Sequence, residues 1–195
     1  VRLAGLLRGR RDYSTDTSGH QQGFVAVERS GVWGRAVEVP GLGALNAGGN
    51  AEVSSVSCAS PGNCAAGGDY TTDAAGSAQA FVVSEKNGSW GTAQEVAGNL
   101  NMGKSSYAGV DSVLCASAGN CSAGGTYDYG GYNAAFVVSE ENGVWGQETT
   151  VPGLGSLNKG SSVGVSSVSC APAGSCMAGG SYQETGRFAL QGFVS

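Results

Sequence analysis

Short apolar runs separated by glycine and small polar residues set the rhythm of this 195-residue chain. In residues 78–90, AQAFVVSEKNGSW, the run Phe81-Val82-Val83 is continuous where a half-buried strand would alternate, so it predicts a strand covered on both faces. Asn87-Gly88 follows. Asn-Gly between two β-rich runs predicts a two-residue hairpin turn, because both residues must accept φ > 0. Asn142-Gly143 and Ser30-Gly31 stand at the same joint elsewhere in the chain. Upstream, SSVSC (54–58), the turn SPGN (60–63) and CAAGGDY (64–70) predict two more strands, and SWGTAQEV (89–96) predicts a fourth. The unit is therefore expected to be a four-stranded antiparallel meander.

The unit repeats. SVSCASPGNCAAGGDY (55–70) returns as SVLCASAGNCSAGGTY (112–127) and SVSCAPAGSCMAGGSY (167–182). Phe24, Phe81, Phe136 and Phe193 are 57, 55 and 57 residues apart. A fixed period of this length means stacked supersecondary units. An all-β fold is predicted, a β-propeller made of four-stranded antiparallel blades of 55–57 residues. The alternative is a β-trefoil, whose repeats are usually shorter and face a single core. Residues 12–195 read as one domain of about three and a half repeats, in which the first unit lacks its first strand and the last lacks its fourth. Unpaired sheet edges are a hazard, so a strand from flanking sequence or a second chain completing the ring is expected.

Residues 1–11, VRLAGLLRGRR, depart from the pattern and hold four of the ten cationic residues. A basic tail explains them. So does the repeat read in a shifted frame, since GC-rich codons for the cysteine hairpin, displaced by one base, can spell this segment.

Composition narrows the class. The 35 glycines with only 4 prolines and no G-x-y rhythm point to many tight turns. A net charge of −5 argues against a nucleic-acid partner, which clustered Lys and Arg would serve. The six cysteines form three C-x5-C pairs, Cys58 with Cys64, Cys115 with Cys121 and Cys170 with Cys176. Zinc needs a second pair or histidines at set distances, and His20 is the one histidine, so disulfides are expected, with an oxidising, extracellular location. No apolar run reaches the length of a membrane span, and without a signal-peptide pattern the chain reads as mature or trimmed.

The C-x5-C hairpin, the G-G-x-Y strand and the F-V-V-x-E-x-N-G-x-W hairpin together resemble a secreted actinobacterial β-propeller repeat family with lectin-like members. The resemblance covers most of residues 12–195. Relatives with such blades include sugar-binding lectins and accessory domains of secreted bacterial proteins, so the resemblance implies a binding module more than chemistry.

Repeated polar and aromatic residues are either scaffold or a site copied several times. The four phenylalanines are expected in the core. Trp33, Trp90 and Trp145 follow the hairpin turn, where an indole can stack on a sugar or pack between blades. Tyr13, Tyr70, Tyr127 and Tyr182 end a strand beside the most variable loop, as ligand contacts or as plugs of the blade rim. Asn46, Asn101 and Asn158, in L-N-x-G, can bond their own turn or recognise vicinal hydroxyls. Glu28, Glu85 and Glu140 precede the turn; a buried one would need a donor, which a sugar hydroxyl or a tyrosine could supply. One acid per variable loop (Asp16, Asp73, Asp128, Glu184) does not make a calcium site, so no metal and no cofactor is expected. Catalysis is not expected either: its groups would have to break the repeat, as Glu52, Asp111 and Glu148 do. The expected function is carbohydrate binding at repeated sites, or protein docking in a larger secreted assembly through the unlike loops or unpaired edges.

Overall fold

A computed structural model describes residues 12–14, 19–96, 107–129, 132–157, 162–172, 174–184 and 190–195. The atypical segment 1–11 lies outside them. The first sheet contains β1 (Asp12–Ser14), β2 (Gln21–Val25) and β5 (Val37–Glu38), with β3 (Glu28–Arg29) and β4 (Val32–Trp33) forming a hairpin between them. After a one-turn helix α1 (Leu42–Leu45), β6 (Ala51–Ser60), β7 (Asn63–Thr71) and β8 (Ala78–Lys86) form the second sheet, with β9 (Ser89–Trp90) and β10 (Gln94–Glu95) both paired to β8. The third sheet repeats this with β11 (Ala108–Ser117), β12 (Asn120–Tyr129), β13 (Tyr132–Glu141), β14 (Val144–Trp145) and β15 (Thr149–Thr150). Another one-turn helix, α2 (Leu154–Leu157), leads to β16 (Val163–Cys170), β17 (Cys176–Gln183) and β18 (Leu190–Val194). The fold is all-β and every pairing is antiparallel.

The expected hairpin turns are present: Ser30, Asn87 and Asn142 have φ of 53°, 51° and 54°, and the glycine after each is also positive. The fourth strand differs from expectation, being two short pieces. Glu85 pairs with Trp90 and Val82 with Gln94, which leaves one extra residue on the fourth strand between the two contacts. That bulge turns the segment after Trp90 and ends the continuous ladder.

Each cysteine pair is bonded, Cys58–Cys64, Cys115–Cys121 and Cys170–Cys176, directly across the first two strands of its sheet. Closing a loop of this size removes unfolded-state entropy worth about 2.4 kcal/mol.

The sheets stack face to face, and the continuous apolar run explains why. Ala66, Tyr70, Phe81 and Val83 join Val25, Val39 and Leu42 in one core layer, while Ala65, Ala80 and Val82 join Val110, Ala123 and Phe136 in the next. A third layer joins Ala135 and Val151 to Val163, Val165 and Ala178. Two consecutive glycines have different tasks here. A Cβ on Gly67 would lie 2.8 Å from Val110 Cγ1 of the neighbouring sheet, and one on Gly68 would lie 2.0 Å from the Glu52 carbonyl oxygen within its own sheet.

The serines of SSVSC also have a task that the pattern did not announce. Ser55 Oγ accepts from Val113 N at 2.9 Å, Ser57 Oγ from Cys115 N at 3.0 Å, and Ser112 Oγ from Val168 N at 3.0 Å. Strands β6, β11 and β16 are sheet edges, so these hydroxyls satisfy edge amides of the next unit.

No closed barrel or propeller ring forms among the described residues. Among the described residues no further sheet covers either end of the stack. Met177 and Val194 are 58% and 76% exposed at the positions where Ala65 and Val82 are buried. At the other end Trp33 is 52% exposed.

Candidate functional site

Most of the repeated polar residues belong to the scaffold. Tyr70 and Tyr127 are buried core residues; Tyr127 packs against Phe136 at 6.4 Å and Tyr182 packs on the last core layer. Burial, with Glu95 beside it, pushes the Tyr70 hydroxyl above its ordinary range. Tyr13 donates to Glu38 Oε2 at 2.9 Å, and burial together with that carboxylate raises its pKa as well. Asn46 is buried, with Nδ2 donating to Gln21 O at 2.9 Å and Oδ1 accepting from Thr71 Oγ1 at 3.2 Å. Its amide is used internally at both ends. Asn101, Asn158 and Asp16 lie outside the described residues. Phe81 and Phe136 are fully buried, as expected, and Phe24 and Phe193 are partly so.

The Trp–Glu series is where the copies diverge. In the first three units the glutamate and the tryptophan face each other across the hairpin, as Glu28 with Trp33, Glu85 with Trp90 and Glu140 with Trp145. Glu28 accepts from Gly31 N at the open end of the stack, beside the exposed Trp33. The other two carboxylates are buried, contrary to the ordinary exposure of a pre-turn glutamate: Glu85 is 4% and Glu140 2% exposed.

Their surroundings are not alike. Ser84, on the preceding sheet, donates to Glu140 Oε1 at 2.6 Å and accepts from Trp145 Nε1 at 2.9 Å. One hydroxyl thus closes the interface between the second and third sheets. One interface earlier, the residue at the position of Ser84 is Val27. Glu85 Oε2 and Trp90 Nε1 there are buried with no hydrogen-bond partner among the described residues. Glu140 Oε2 shares that state, but its partner oxygen and its indole are held.

Beside Glu85 and Trp90 lies a cavity of about 390 Å³, lined also by Val25, Val27, Arg29 and Arg35. That is within the range of small-ligand sites, and the mixture of apolar wall, carboxylate, indole N–H and guanidinium suits one. Burial raises the Glu85 carboxyl above its usual range and the Arg29 guanidinium opposes the rise. Sequence reasoning named Glu85 and Trp90 but not Val27, Arg29 or Arg35. The signal was there in the aligned repeats, where Val27 alone replaces the serine of Ser84 and Ser139.

A second constellation breaks the repeat. Glu52 on β6 lies directly opposite Asp69 on β7, where the later units place Gly109 opposite Thr126 and Gly164 opposite Ser181. Asp111 sits at the bulge of β11 and accepts from Thr126 Oγ1 at 3.2 Å. Burial, then Glu52 and Asp111, push the Asp69 carboxyl up to about 7, and burial with the same three acids pushes the Tyr107 hydroxyl up to about 12. Glu52 and Asp111 are thus brought together as departures from the pattern, while Glu148 is buried elsewhere. Among the described residues no three His, Cys, Asp or Glu side chains are grouped to hold a metal ion.

No family model matches the chain, and no curated protein matches it.

Proposed function

We propose that the protein is a secreted, carbohydrate-binding module built from propeller-type blades, acting by binding and not by catalysis. The observation that carries this reading is the cavity of about 390 Å³ beside the buried Glu85 and Trp90. A carboxylate that accepts and an indole N–H that donates suit a hydroxyl, which does both, and the valine wall suits the C–H face of a sugar ring. The three disulfides support an oxidising compartment. Repeated meanders stacked with both faces buried, and open at both ends, support a propeller arc that more sheets or a second chain would close. On this reading the site lies at the first interface, in contrast to sites copied in every unit.

A glycan array followed by calorimetry on the disulfide-intact protein tests the reading; absence of any sugar binding would overturn it. A second reading, protein docking within a secreted assembly, is favoured by the exposed apolar residues Met177, Leu190 and Val194 on the last sheet. A stoichiometric protein partner recovered with the native protein would favour that reading instead.

A further inference from the structure

Units built on one scaffold share a set of contacts, so a contact made at one interface and missing at the next shows what the second interface lacks. Ser84 Oγ, set between Glu140 Oε1 and Trp145 Nε1, is such a contact. At the preceding interface the chain keeps the carboxylate and the indole as Glu85 and Trp90, still paired across the hairpin, and replaces the serine with Val27. A buried polar group left without a partner costs about 1–3 kcal/mol. Closing the gap from within would take one side-chain change. The chain instead leaves both atoms covered and unpaired, with a cavity of about 390 Å³ beside them, many times the roughly 30 Å³ share of a single water.

We infer that a hydroxyl group of the bound sugar occupies the position that Ser84 Oγ holds one interface later, donating to the Glu85 carboxylate and accepting from the Trp90 indole N–H. Val27 is then a specificity residue: it withholds the internal hydroxyl, and because Glu85 Oε2 and Trp90 Nε1 are covered in the free protein, entry of the sugar hydroxyl requires the side chains around them, Val27 among them, to shift. Arg29 and Arg35, at the exposed side of the same cavity, add donors for other oxygens of the ligand. The ligand class is a sugar with at least one free hydroxyl that can enter between two sheets, and a uronic acid gains most from the two guanidinium groups. The inference rests on the carbohydrate reading and adds the atoms that read the sugar.

The test compares the unaltered protein with Val27→Ser, using D-glucose, D-galactose, D-mannose and D-glucuronate as probes in calorimetry and thermal melts. Val27→Ser supplies the missing hydroxyl from within. It is expected to melt higher than the unaltered protein without sugar, and to bind the sugar at least about tenfold more weakly. Glu85→Gln keeps the shape of the site and is expected to bind more weakly too, so the test stands even if Val27→Ser fails to fold. Ser84→Ala, at the next interface, is expected to leave sugar affinity unchanged. Unaltered affinity in both Val27→Ser and Glu85→Gln would overturn the slot while leaving carbohydrate binding in place. Binding of none of the four sugars by the unaltered protein would overturn the carbohydrate reading and the slot with it.

Discussion

Ser84 and Glu140 are 56 residues apart in the chain and 2.6 Å apart across two sheets, with Trp145 bonded to the same serine hydroxyl at 2.9 Å. The contact seals the second interface. Removing it with Ser84→Ala leaves a buried carboxylate oxygen and an indole N–H unpaired. A loss of about 1–3 kcal/mol in urea unfolding is expected. The matching change at the first interface, Val27→Ala, removes no hydrogen bond, so the two variants together separate polar from packing effects.

Asp69 makes stability depend on pH in a direction opposite to most carboxylates. Its folded-state carboxyl stands near 7, raised by burial and by Glu52 and Asp111, against 3.8 in a free chain. Between those values the folded protein holds a proton that the unfolded chain has released. Stability from this group is therefore lost as pH rises from about 4 to about 7, with a slope of at most about 1.4 kcal/mol per pH unit. Melting across that range should show the fall, and Asp69→Asn should flatten it.

Neighbouring glycines predict unequal damage. Gly68→Ala drives a methyl group against the Glu52 carbonyl at 2.0 Å, backbone that cannot move aside without breaking the β6–β7 ladder, and is expected to cost about 3 kcal/mol or more. Gly67→Ala meets the buried Val110 side chain at 2.8 Å and the Phe81 carbonyl oxygen at 3.2 Å, a less severe overlap, so about 1–3 kcal/mol is expected. Denaturation midpoints of the two variants provide the comparison.

Replacing Cys115 and Cys121 together by serine should cost about 2.4 kcal/mol through the unfolded chain. The register Cys115 opposite Cys121 should survive, because the β11–β12 pairing runs unbroken from Cys115 back to Ser112, as far as the bulge at Asp111. Amide exchange of that hairpin with and without the bridge measures both effects.

Much of this architecture was legible because it depends on local chemistry. Asn87-Gly88 specified its turn through positive φ, the cysteine spacing specified its bridges, and Phe81-Val82-Val83 specified a sheet covered twice. What depends on the meeting of two units was not legible. Tyr70 packs in the core and Asn46 bonds its own loop, and repetition of a polar residue cannot separate such a need from a copied site. The split fourth strand follows from a bulge that carries no distinctive residue. The informative position was a departure from the repeat, Val27, whose meaning required Glu85, Trp90 and Ser84 to be seen together.

The central claim concerns one indole N–H out of three, and nitrogen-15 spectra report all three separately. Titration of the labelled protein with the best-binding sugar should move the Trp90 indole signal and leave that of Trp145, already bonded to Ser84, in place. Binding seen by calorimetry while the Trp90 signal stays still, or while only the exposed Trp33 responds, would contradict the account.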